Sequence, residues 1–319
     1  MSSYGPETTT DEVIEGVDLS GRVAIVTGAS GGLGAETARA LAARGARVTI
    51  AARDLEKAEN AAEEIRTSTG NPEIDVLGLE LTLPDRVRES AKQWLADHDE
   101  LNLLINNAGV MACPLDRTAE GWEFQFATNH LGHFLFTGLL VPALVHGAPA
   151  RIVNLSSAGH RMSPVVFDDI HYEDRPYDKW ESYGQSKTAN ILFSVALNAR
   201  LAGKGVSAYA VHPGMIMTEL GRHMGQQDLE DLMAKRPAGT KMEWKSVEAG
   251  AATSVWAATA TELEGQGGRY LEDCGVARPK KTEEDVAGYA DYAVDAEAAE
   301  RLWRVSEETL GEEFDFTTL

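Results

Sequence analysis

Cysteine is scarce in this sequence, which has only Cys113 and Cys274 among 319 residues. Two cysteines supply neither a disulfide framework nor a thiolate metal site, and they indicate a reducing compartment. Basic residues are also in deficit, because 29 Lys and Arg stand against 50 Asp and Glu, for a formal net charge of −21. This negative field repels phosphate backbones and anionic lipid headgroups, so we expect neither nucleic-acid nor membrane binding.

The sequence also lacks a long hydrophobic run and the pattern of an export signal. Its most apolar stretch, Leu131 to Val145, is interrupted by His133 and Pro142. It is shorter than the roughly 20 residues that a membrane-spanning helix needs. Residues 1–16 contain no Lys or Arg, whereas a secretory signal begins with a basic region. The sequence therefore predicts a cytoplasmic protein in which the apolar stretch is a buried helix.

Apolar strand patterns alternate with helical patterns along most of the chain. The predicted strands are residues 22–26, 46–52, 74–81, 101–106, 151–156, 206–213 and 267–271. Strands that are almost wholly apolar, with helices between them, are typical of a parallel sheet covered on both faces. The fold class predicted is therefore α/β, as a single doubly wound Rossmann domain. We expect a parallel sheet of about seven strands with helices on both faces.

The alternation defines the expected organisation of the chain. Residues 19–278 form the predicted Rossmann domain, and residues 279–319 a C-terminal helical extension. We expect residues 1–18 to be a flexible, acidic N-terminal segment. Two segments, residues 158–179 and 219–246, interrupt the alternation after strand ends, where doubly wound sheets carry their ligands. Both are therefore predicted to be substrate loops.

A glycine-rich turn, TGASGGLG at residues 27–34, follows the first predicted strand and opens a helix. Glycine permits the sharp turn and lets a pyrophosphate approach the helix N-terminus. This placement between a buried strand and a helix favours dinucleotide binding over an ordinary glycine-rich turn. The residues of the turn expected to contact the dinucleotide are Gly28, Ser30, Gly32, Leu33 and Gly34.

The end of the second predicted strand is where a Rossmann fold selects its cofactor. An acidic side chain there binds the ribose hydroxyls of NAD and repels a 2′-phosphate. This chain has Arg53 at that position and Asp54 after it. A guanidinium can stack on adenine and pair with the phosphate, so NADP(H) is favoured. NAD(H) stays possible if Arg53 is simply solvated and Asp54 is a helix N-cap.

Tyr183 and Lys187 stand four residues apart in YGQSK, which places both side chains on one face of a helix. A phenol titrates at about 10, but a nearby ammonium and a positive nicotinamide ring lower that pKa. Tyr183 could then exchange a proton with an alcohol or carbonyl oxygen, and Ser157 could hydrogen-bond the same oxygen. Taken alone, a Tyr and a Lys at this spacing are most often surface or packing residues.

Five motifs occur in order along the chain. They are TGASGGLG, NNAG at residues 106–109, the serine pair at 156–157, YGQSK, and HPG at 212–214. Together they resemble the short-chain dehydrogenase/reductase family over roughly residues 19–271. The segments IAARDLEKAE, YGQSKTANILF, GRYLEDC and AERLWRVSEETLG resemble its retinol dehydrogenase-like and WW-domain oxidoreductase-like branch more closely.

The resemblance implies a catalytic tetrad of Asn129, Ser157, Tyr183 and Lys187. Tyr183 is the implied general acid/base, Lys187 lowers its pKa and binds the nicotinamide ribose, and Ser157 orients the substrate oxygen. Asn129 is implied to hold a water that connects Lys187 to solvent. The further cofactor contacts implied are Glu80, Leu81, Asn107, Ala108, Gly109, Pro213, Gly214, Ile216 and Thr218. Glu80 departs from the Asp or Asn that the family usually has beside adenine.

The resemblance and the residues together predict an NADP-dependent oxidoreductase for a bulky, mostly apolar alcohol, ketone or aldehyde. Apolar side chains in the two substrate loops indicate such a substrate. They are Met162, Val165, Val166, Phe167, Ile170, Tyr172, Tyr177, Leu220, Met224, Leu229, Leu232, Met233, Met242 and Trp244. The alternatives are an NAD-dependent alcohol or steroid-type dehydrogenase and a non-catalytic dinucleotide-binding regulator.

Two further expectations concern partners and metals. The family usually pairs its long fourth and fifth helices, so a homodimer or homotetramer is expected. His130 and His133 share a predicted helix at the spacing of metal ligands, but no carboxylate or thiol cluster accompanies them. We therefore expect no metal and interpret both histidines as core or interface residues.

Overall fold

The computed structural model describes residues 4–218, 220–221, 225–228, 230, 244–282 and 285–319. At its centre lies one sheet with strand order β3-β2-β1-β4-β5-β6-β7-β8. The strands are β1 (Val23–Thr27), β2 (Arg47–Ala52), β3 (Ile74–Gly78), β4 (Leu103–Asn106), β5 (Ala150–Leu155), β6 (Val206–His212), β7 (Arg269–Glu272) and β8 (Gly275–Val276). Strands β1 to β7 are parallel, and β8 pairs antiparallel with β7. The predicted doubly wound sheet is confirmed, with a two-residue strand added at one edge.

The helices cover both faces of this sheet. They are α1 (Thr10–Val13), α2 (Gly32–Ala42), α3 (Leu55–Thr69), α4 (Pro84–Asp97), α5 (Phe124–Phe126), α6 (Gly132–His146), α7 (Lys179–Leu201), α8 (Val247–Thr259) and α9 (Ala296–Leu310). One apolar core joins the sheet to α4, α6, α7 and α9, and the other joins it to α1, α2, α3 and α8. Because the inner strands β1, β2 and β4 are covered on two sides, their sequences are nearly continuously apolar rather than alternating.

The strand order places the functional region. The chain runs outward from β1 through β2 to β3, and then returns to the other side of β1 with β4. The connections after β1 and β4 therefore leave the sheet in opposite directions and open a crevice at the carboxyl ends of these strands. The glycine turn at residues 27–34 and the NNAG segment at residues 106–109 both lie at this point.

The long apolar stretch forms a buried helix, as the sequence predicts. The chain is helical from α5 through α6, and the five residues between them, Ala127–Leu131, are π-helical. Among the described residues, none of the helices combines the length and the apolar character required to cross a bilayer.

The expected flexible N-terminal segment is instead packed over part of its length. Thr9 forms a capping box with Glu12 at the start of α1. Val13 and Ile14 are buried against the face of the sheet that carries α2 and α8. Part of this segment therefore completes one of the two cores through Val13 and Ile14, and the flexibility of residues 1–18 stays a prediction.

Helix α9 is amphipathic and packs on the opposite face. Its buried residues, Ala299, Leu302, Trp303, Ser306 and Leu310, recur every three or four positions. The centroids of the Trp303 and Phe134 rings lie 4.8 Å apart. The Arg200 guanidinium carbon lies 4.1 Å from the centroid of the Trp303 ring. The C-terminal part of the chain thus covers α6 and α7, the helices that carry much of the site.

We predict that Leu302→Ala lowers the free energy of unfolding by about 2–5 kcal/mol, because it leaves a cavity between α9 and the core. Leu302 is 1% exposed. The matched control is Arg304→Ala on the exposed face of the same helix. It should change stability by less than about 0.5 kcal/mol. Urea unfolding of the three proteins measures both values, and equal losses in the two variants would contradict this packing of α9.

Candidate active site

The turn after β1 is shaped by glycine. Gly28 has a φ of +65°. A Cβ there would lie 2.8 Å from the Cα of Ala108, and one at Gly34 would lie 2.5 Å from the carbonyl oxygen of Gly28. Helix α2 begins within this turn, at Gly32, and its N-cap is Gly31, which has no side chain. The first backbone N–H groups and the helix dipole are therefore left to an anionic ligand, as a pyrophosphate requires.

The NNAG segment forms the wall opposite this turn. The hydroxyl oxygen of Thr27 accepts hydrogen bonds from the backbone N–H groups of Asn107, at 2.9 Å, and Ala108, at 3.0 Å. The Asn107 side-chain amide donates to the Thr27 carbonyl oxygen at 2.7 Å. The ends of β1 and β4 are thereby fixed to each other. Thr27 lies within the predicted motif, but sequence reasoning gave it no role.

The two histidines of α5–α6 are buried core residues, as the sequence interpretation holds. His133 Nε2 lies 2.9 Å from the Thr27 hydroxyl, and its Nδ1 lies 3.1 Å from the Asn129 carbonyl oxygen. His130 Nε2 lies 2.8 Å from the Ser306 hydroxyl on α9. Burial lowers the pKa of His133 to about 4 and that of His130 to about 3, so both rings are neutral at pH 7.

Asn129 lies in the π-helical segment and is fully buried. Its side-chain amide donates to the Val110 carbonyl oxygen at 3.0 Å and to the Ser186 hydroxyl at 2.9 Å. Its Oδ1 accepts from the Val110 backbone N–H at 2.8 Å. Ser186 in turn donates to the Tyr183 carbonyl oxygen at 2.8 Å. Asn129 therefore connects the segment after β4 to α7, and a local π-helix frequently marks a functional position.

Tyr183 and Lys187 lie on one face of α7, as their spacing predicts, and are 4% and 3% exposed. The Lys187 Nζ donates to the Leu155 carbonyl oxygen at 3.0 Å and lies 5.6 Å from the centroid of the Tyr183 ring. Burial lowers the pKa of Lys187 to about 8. Burial also raises the pKa of Tyr183 to about 12, and a hydrogen bond with Ser157 offsets this only in part. In the chain alone, desolvation therefore outweighs the hydrogen bond with Ser157. The lowering of the tyrosine pKa by an ammonium and a bound nicotinamide ring stays a prediction.

Ser157 begins a single 3₁₀ turn, Ala158–Met162, which is the start of the first predicted substrate loop. Its hydroxyl oxygen accepts from the Gly159 backbone N–H at 3.0 Å. A Cβ at Gly159 would lie 2.8 Å from Cε1 of Tyr183, so this turn lies flat against the phenol ring. The structure thus brings Ser157, Tyr183 and Lys187 together. Sequence reasoning missed Gly159, whose only signal is a glycine two residues after the serine pair.

The segment after β6 closes the crevice from the other side. Gly214 has a φ of +93° and follows Pro213. The γ-methyl carbon of Thr218 lies 3.6 Å from the position of a Cβ at Gly32. A Cβ at Gly250 would lie 2.5 Å from Cγ1 of Ile216 and 2.8 Å from Cδ2 of Leu33, so both side chains pack against this glycine. Of the predicted nicotinamide-end residues, Thr218 therefore lies beside Gly32 at the start of α2, and Ile216 lies on the same side of Gly250 as Leu33.

The end of β2 carries an exposed cation. The Arg53 side chain is 70% exposed, and its Nε lies 3.6 Å from Oε2 of Glu80. The Glu80 carboxylate also accepts from the Thr82 hydroxyl at 2.8 Å. Asp54 is the N-cap of α3, accepting from the Lys57 backbone N–H at 3.1 Å. The Leu81 side chain is buried in the core, and its backbone lies against Gly132 at the start of α6.

The predicted substrate loops differ in how much of them is described. In the first, Val165, Ile170 and Tyr172 are buried, so these side chains pack the loop onto the core. In the second, Met224, Leu229, Leu232, Met233 and Met242 lie outside the described residues. Beside them, Met217 is 77% and Trp244 46% exposed.

The described residues contain no group of three or more His, Cys, Asp or Glu side chains arranged to hold a metal ion. The crevice combines a glycine turn at the N-terminus of a helix with a buried phenol and a buried ammonium. This arrangement defines a class of α/β enzymes that bind a nicotinamide dinucleotide.

Comparison with known proteins narrows that class. The family model of the short chain dehydrogenases matches residues 22–229, and the chain belongs to that family. It is an NAD(P)-dependent oxidoreductase that acts on alcohol or carbonyl groups, in the retinol dehydrogenase-like branch. The resemblance found in the sequence motifs is therefore confirmed.

The relatives cover nearly the whole chain. Retinol dehydrogenase 12 of Mus musculus is 44% identical over 301 residues, covering 92% of this chain and 88% of its own. An oxidoreductase of Streptomyces antibioticus is 42% identical over 299 residues, covering 92% and 99%. Among solved structures, an uncharacterised protein from Mycobacterium paratuberculosis is 33% identical with a TM-score of 0.73, covering 94% and 97%. The RhlG/NADP active-site complex of Pseudomonas aeruginosa is 28% identical with a TM-score of 0.63, covering 80% and 95%.

Proposed function

We propose that this protein transfers a hydride between NADP(H) and a bulky, mostly apolar alcohol, ketone or aldehyde, with Tyr183 as general acid/base. The observation that carries the proposal is the burial of Tyr183 and Lys187 beside Ser157 at the carboxyl end of β5. Burying an ammonium and a phenol costs free energy unless both are compensated by polar partners. Buried ionisable groups with shifted pKa values are for this reason typical of functional sites. A dinucleotide-binding regulator without turnover needs neither group, so this alternative is disfavoured.

The protonation state of the site fits the donation of a proton. With a pKa raised by burial to about 12, the Tyr183 hydroxyl is protonated at pH 7. It can donate to the oxygen of a bound carbonyl that Ser157 also orients, and it can accept the proton back from an alcohol in the reverse direction. When bound, the nicotinamide supplies or accepts the hydride. Lys187 would hold the nicotinamide ribose and favour the phenolate by its charge, and Asn129 would support Lys187 through a water.

The crevice fits a dinucleotide, because its turn lacks side chains where a pyrophosphate approaches the helix. The residues proposed to hold it are Gly28, Ser30, Gly32, Leu33, Gly34, Arg53, Glu80, Leu81, Asn107, Ala108, Gly109, Tyr183, Lys187, Pro213, Gly214, Ile216 and Thr218. Glu80 and Leu81 lie at the adenine end, and Pro213 to Thr218 at the carboxamide end.

Three points support NADP over NAD. Arg53 is exposed, so its pairing with Glu80 contributes only about 0–1 kcal/mol and a 2′-phosphate can replace it. Asp54 caps α3, which leaves Arg53 as the side chain at the discriminating position. The related RhlG structure is an NADP complex. NAD remains the alternative cofactor.

An apolar substrate is supported by the exposed side chains of Met217 and Trp244 beside the nicotinamide-end segment. Large exposed apolar side chains near a cleft are typical of ligand recognition. Several relatives are named as retinol dehydrogenases, and retinol is a bulky apolar alcohol.

A homodimer or homotetramer and a cytoplasmic location stay predictions. Scarce cysteine supports the location. The helices expected to pair between subunits are α5–α6 and α7, and α9 already packs on them. An oligomer therefore has to use surface that α9 leaves uncovered.

We predict that Tyr183→Phe lowers kcat by ~10³-fold or more and leaves NADPH affinity within about twofold, because only the proton donor is removed. Single-turnover kinetics and fluorescence titration of NADPH measure the two. The control is Tyr209→Phe, which removes a phenol that donates to the Leu263 carbonyl oxygen at 2.7 Å in the other core. This control should lower the free energy of unfolding by about 1 kcal/mol and leave kcat unchanged. A Tyr183 variant that keeps a tenth of the wild-type rate would refute the assignment.

We predict that the wild type prefers NADPH over NADH by at least about tenfold in kcat/KM, roughly 1.4 kcal/mol. Arg53→Asp should erase or reverse this preference, because it removes the guanidinium and places a carboxylate at the 2′-position. Arg304→Asp makes the same change of net charge on the exposed face of α9 and should keep the preference for NADPH. Better use of NADH by the wild type would contradict the assignment of Arg53.

We predict that kcat/KM rises along a series of straight-chain ketones, by up to about 0.8 kcal/mol for each methylene buried, until the pocket is filled. Steroid and terpenoid ketones should be substrates, and small keto acids poor ones, because the protein carries a net charge of −21. Trp244→Ala should flatten the rise. Highest activity on a small keto acid, or no rise along the series, would sink the substrate proposal.

A further inference from the structure

The turn that carries Ser157 is bound to a distant part of the chain. Residues 286–292, which we name the C-terminal strap, contact it at three points. The Ala290 backbone N–H donates to Nε2 of His160 at 3.2 Å, and the Tyr292 hydroxyl donates to the His160 carbonyl oxygen at 2.9 Å. Arg161 donates to the Val286 carbonyl oxygen at 2.8 Å. The strap lies beyond the residues that match the family model, 22–229.

The strap is itself fixed to the edge of the sheet. Gly288, with a φ of +90°, donates its backbone N–H to the Glu272 carboxylate on β7 at 2.8 Å. A Cβ at Gly288 would lie 2.6 Å from the carbonyl oxygen of Arg278. Tyr289 exchanges backbone hydrogen bonds with the chain at Arg278 and Lys280. The strap is therefore a firm support from which the Ser157 turn can be held.

His160 is the link between the two, and its contacts determine its tautomer. The Ala290 N–H can only donate, so Nε2 must be the unprotonated acceptor. The neutral ring then carries its proton on Nδ1, which donates to the Ser157 carbonyl oxygen at 2.7 Å. His160 is fully buried, and burial lowers its pKa to about 4, so the ring is neutral under assay conditions. His160 thus accepts a hydrogen bond from the strap through Nε2 and donates one to the Ser157 carbonyl oxygen through Nδ1.

We propose that His160 is a positioning residue for Ser157, and that the strap holds it in the tautomer that this role requires. The inference rests on the proposed role of Ser157 as the group that orients the substrate oxygen. The Ser157 carbonyl oxygen accepts both the backbone N–H of His160, at 3.0 Å, and its ring Nδ1. The same turn lies on the Tyr183 ring through Gly159. A displacement of this turn by about 1 Å can cost 10²-fold in rate.

A double-mutant cycle tests whether His160 acts through Ser157. His160→Gln can place an acceptor near Ala290 but loses the donor to Ser157, so kcat should fall at least tenfold with NADPH affinity unchanged. In a Ser157→Ala background the same substitution should change kcat by less than about twofold, because the hydroxyl to be positioned is gone. His160→Asn, whose amide can replace Nδ1, should restore kcat to within about threefold of the wild type. An equal loss in both backgrounds, or equal kcat for the Asn and Gln variants, would reduce His160 to a packing residue.

The strap is tested by a pair of substitutions that leave His160 in place. Ala290 has a φ of −79°, which proline adopts, so Ala290→Pro suits the local backbone. It replaces the donor N–H by a ring carbon that faces His160 Nε2, and it therefore breaks this contact. Ala290→Gly keeps the N–H. We expect Ala290→Pro to lower kcat about fivefold or more and Ala290→Gly to stay within twofold of the wild type. Equal activity of the two variants would overturn the role of the strap. If the His160 variants do not fold, this pair of Ala290 variants still tests the proposal.

Failure of the inference is distinguishable from failure of the proposed function. If Tyr183→Phe is inactive while the His160 and Ala290 pairs show no difference, the inference alone is wrong. If Tyr183→Phe stays active, the proposed function fails. Leu302→Ala, which weakens the fold without touching the site, controls for loss of stability and should keep kcat at temperatures below its unfolding.

Discussion

The site depends on the removal of one ammonium and one phenol from water. Lys187 and Tyr183 are almost completely buried, and burial moves each pKa towards the neutral form. The protein tolerates these buried groups because fixed polar partners form hydrogen bonds with them. The carbonyl oxygen of Leu155 at the end of β5 accepts from Lys187, and from the Asn190 side-chain amide at 2.8 Å. The end of a buried strand thus provides acceptors that no side chain has to supply.

The same constraint explains why the surroundings are so extensively hydrogen-bonded. The Asn129 side-chain amide donates to the Val110 carbonyl oxygen and the Ser186 hydroxyl. The Ser156 hydroxyl donates to the Lys187 carbonyl oxygen at 2.8 Å. A half-satisfied polar network in a low-dielectric interior is unstable and poorly fixed in position. Together with the bonds of Lys187 and Asn190 to Leu155, these contacts fix α7 to β5 and to the segment after β4. The phenol and the glycine turn therefore face one crevice.

Much of this could be predicted from the sequence, because it depends on local chemistry. Continuous apolar strands, the glycine turn, and the spacing of Tyr183 and Lys187 each indicate their structure within a few residues. Burial is a property of the whole fold, and the rise in the pKa of Tyr183 could not be predicted for that reason. The packed Val13 and the His160–Ala290 contact join elements far apart in the chain, which no local pattern records.

The account holds that Tyr183 is a protonated phenol in the chain alone and becomes easier to ionise only beside a positive nicotinamide ring. The direct measurement is the tyrosinate absorbance of the wild type minus that of Tyr183→Phe, titrated with pH, with and without NADP⁺. We predict no ionisation of this residue up to about pH 10, its ordinary value, without the cofactor. Ionisation should move to lower pH when NADP⁺ is bound. A phenolate present at neutral pH in the chain alone, or a titration unchanged by NADP⁺, would contradict the account.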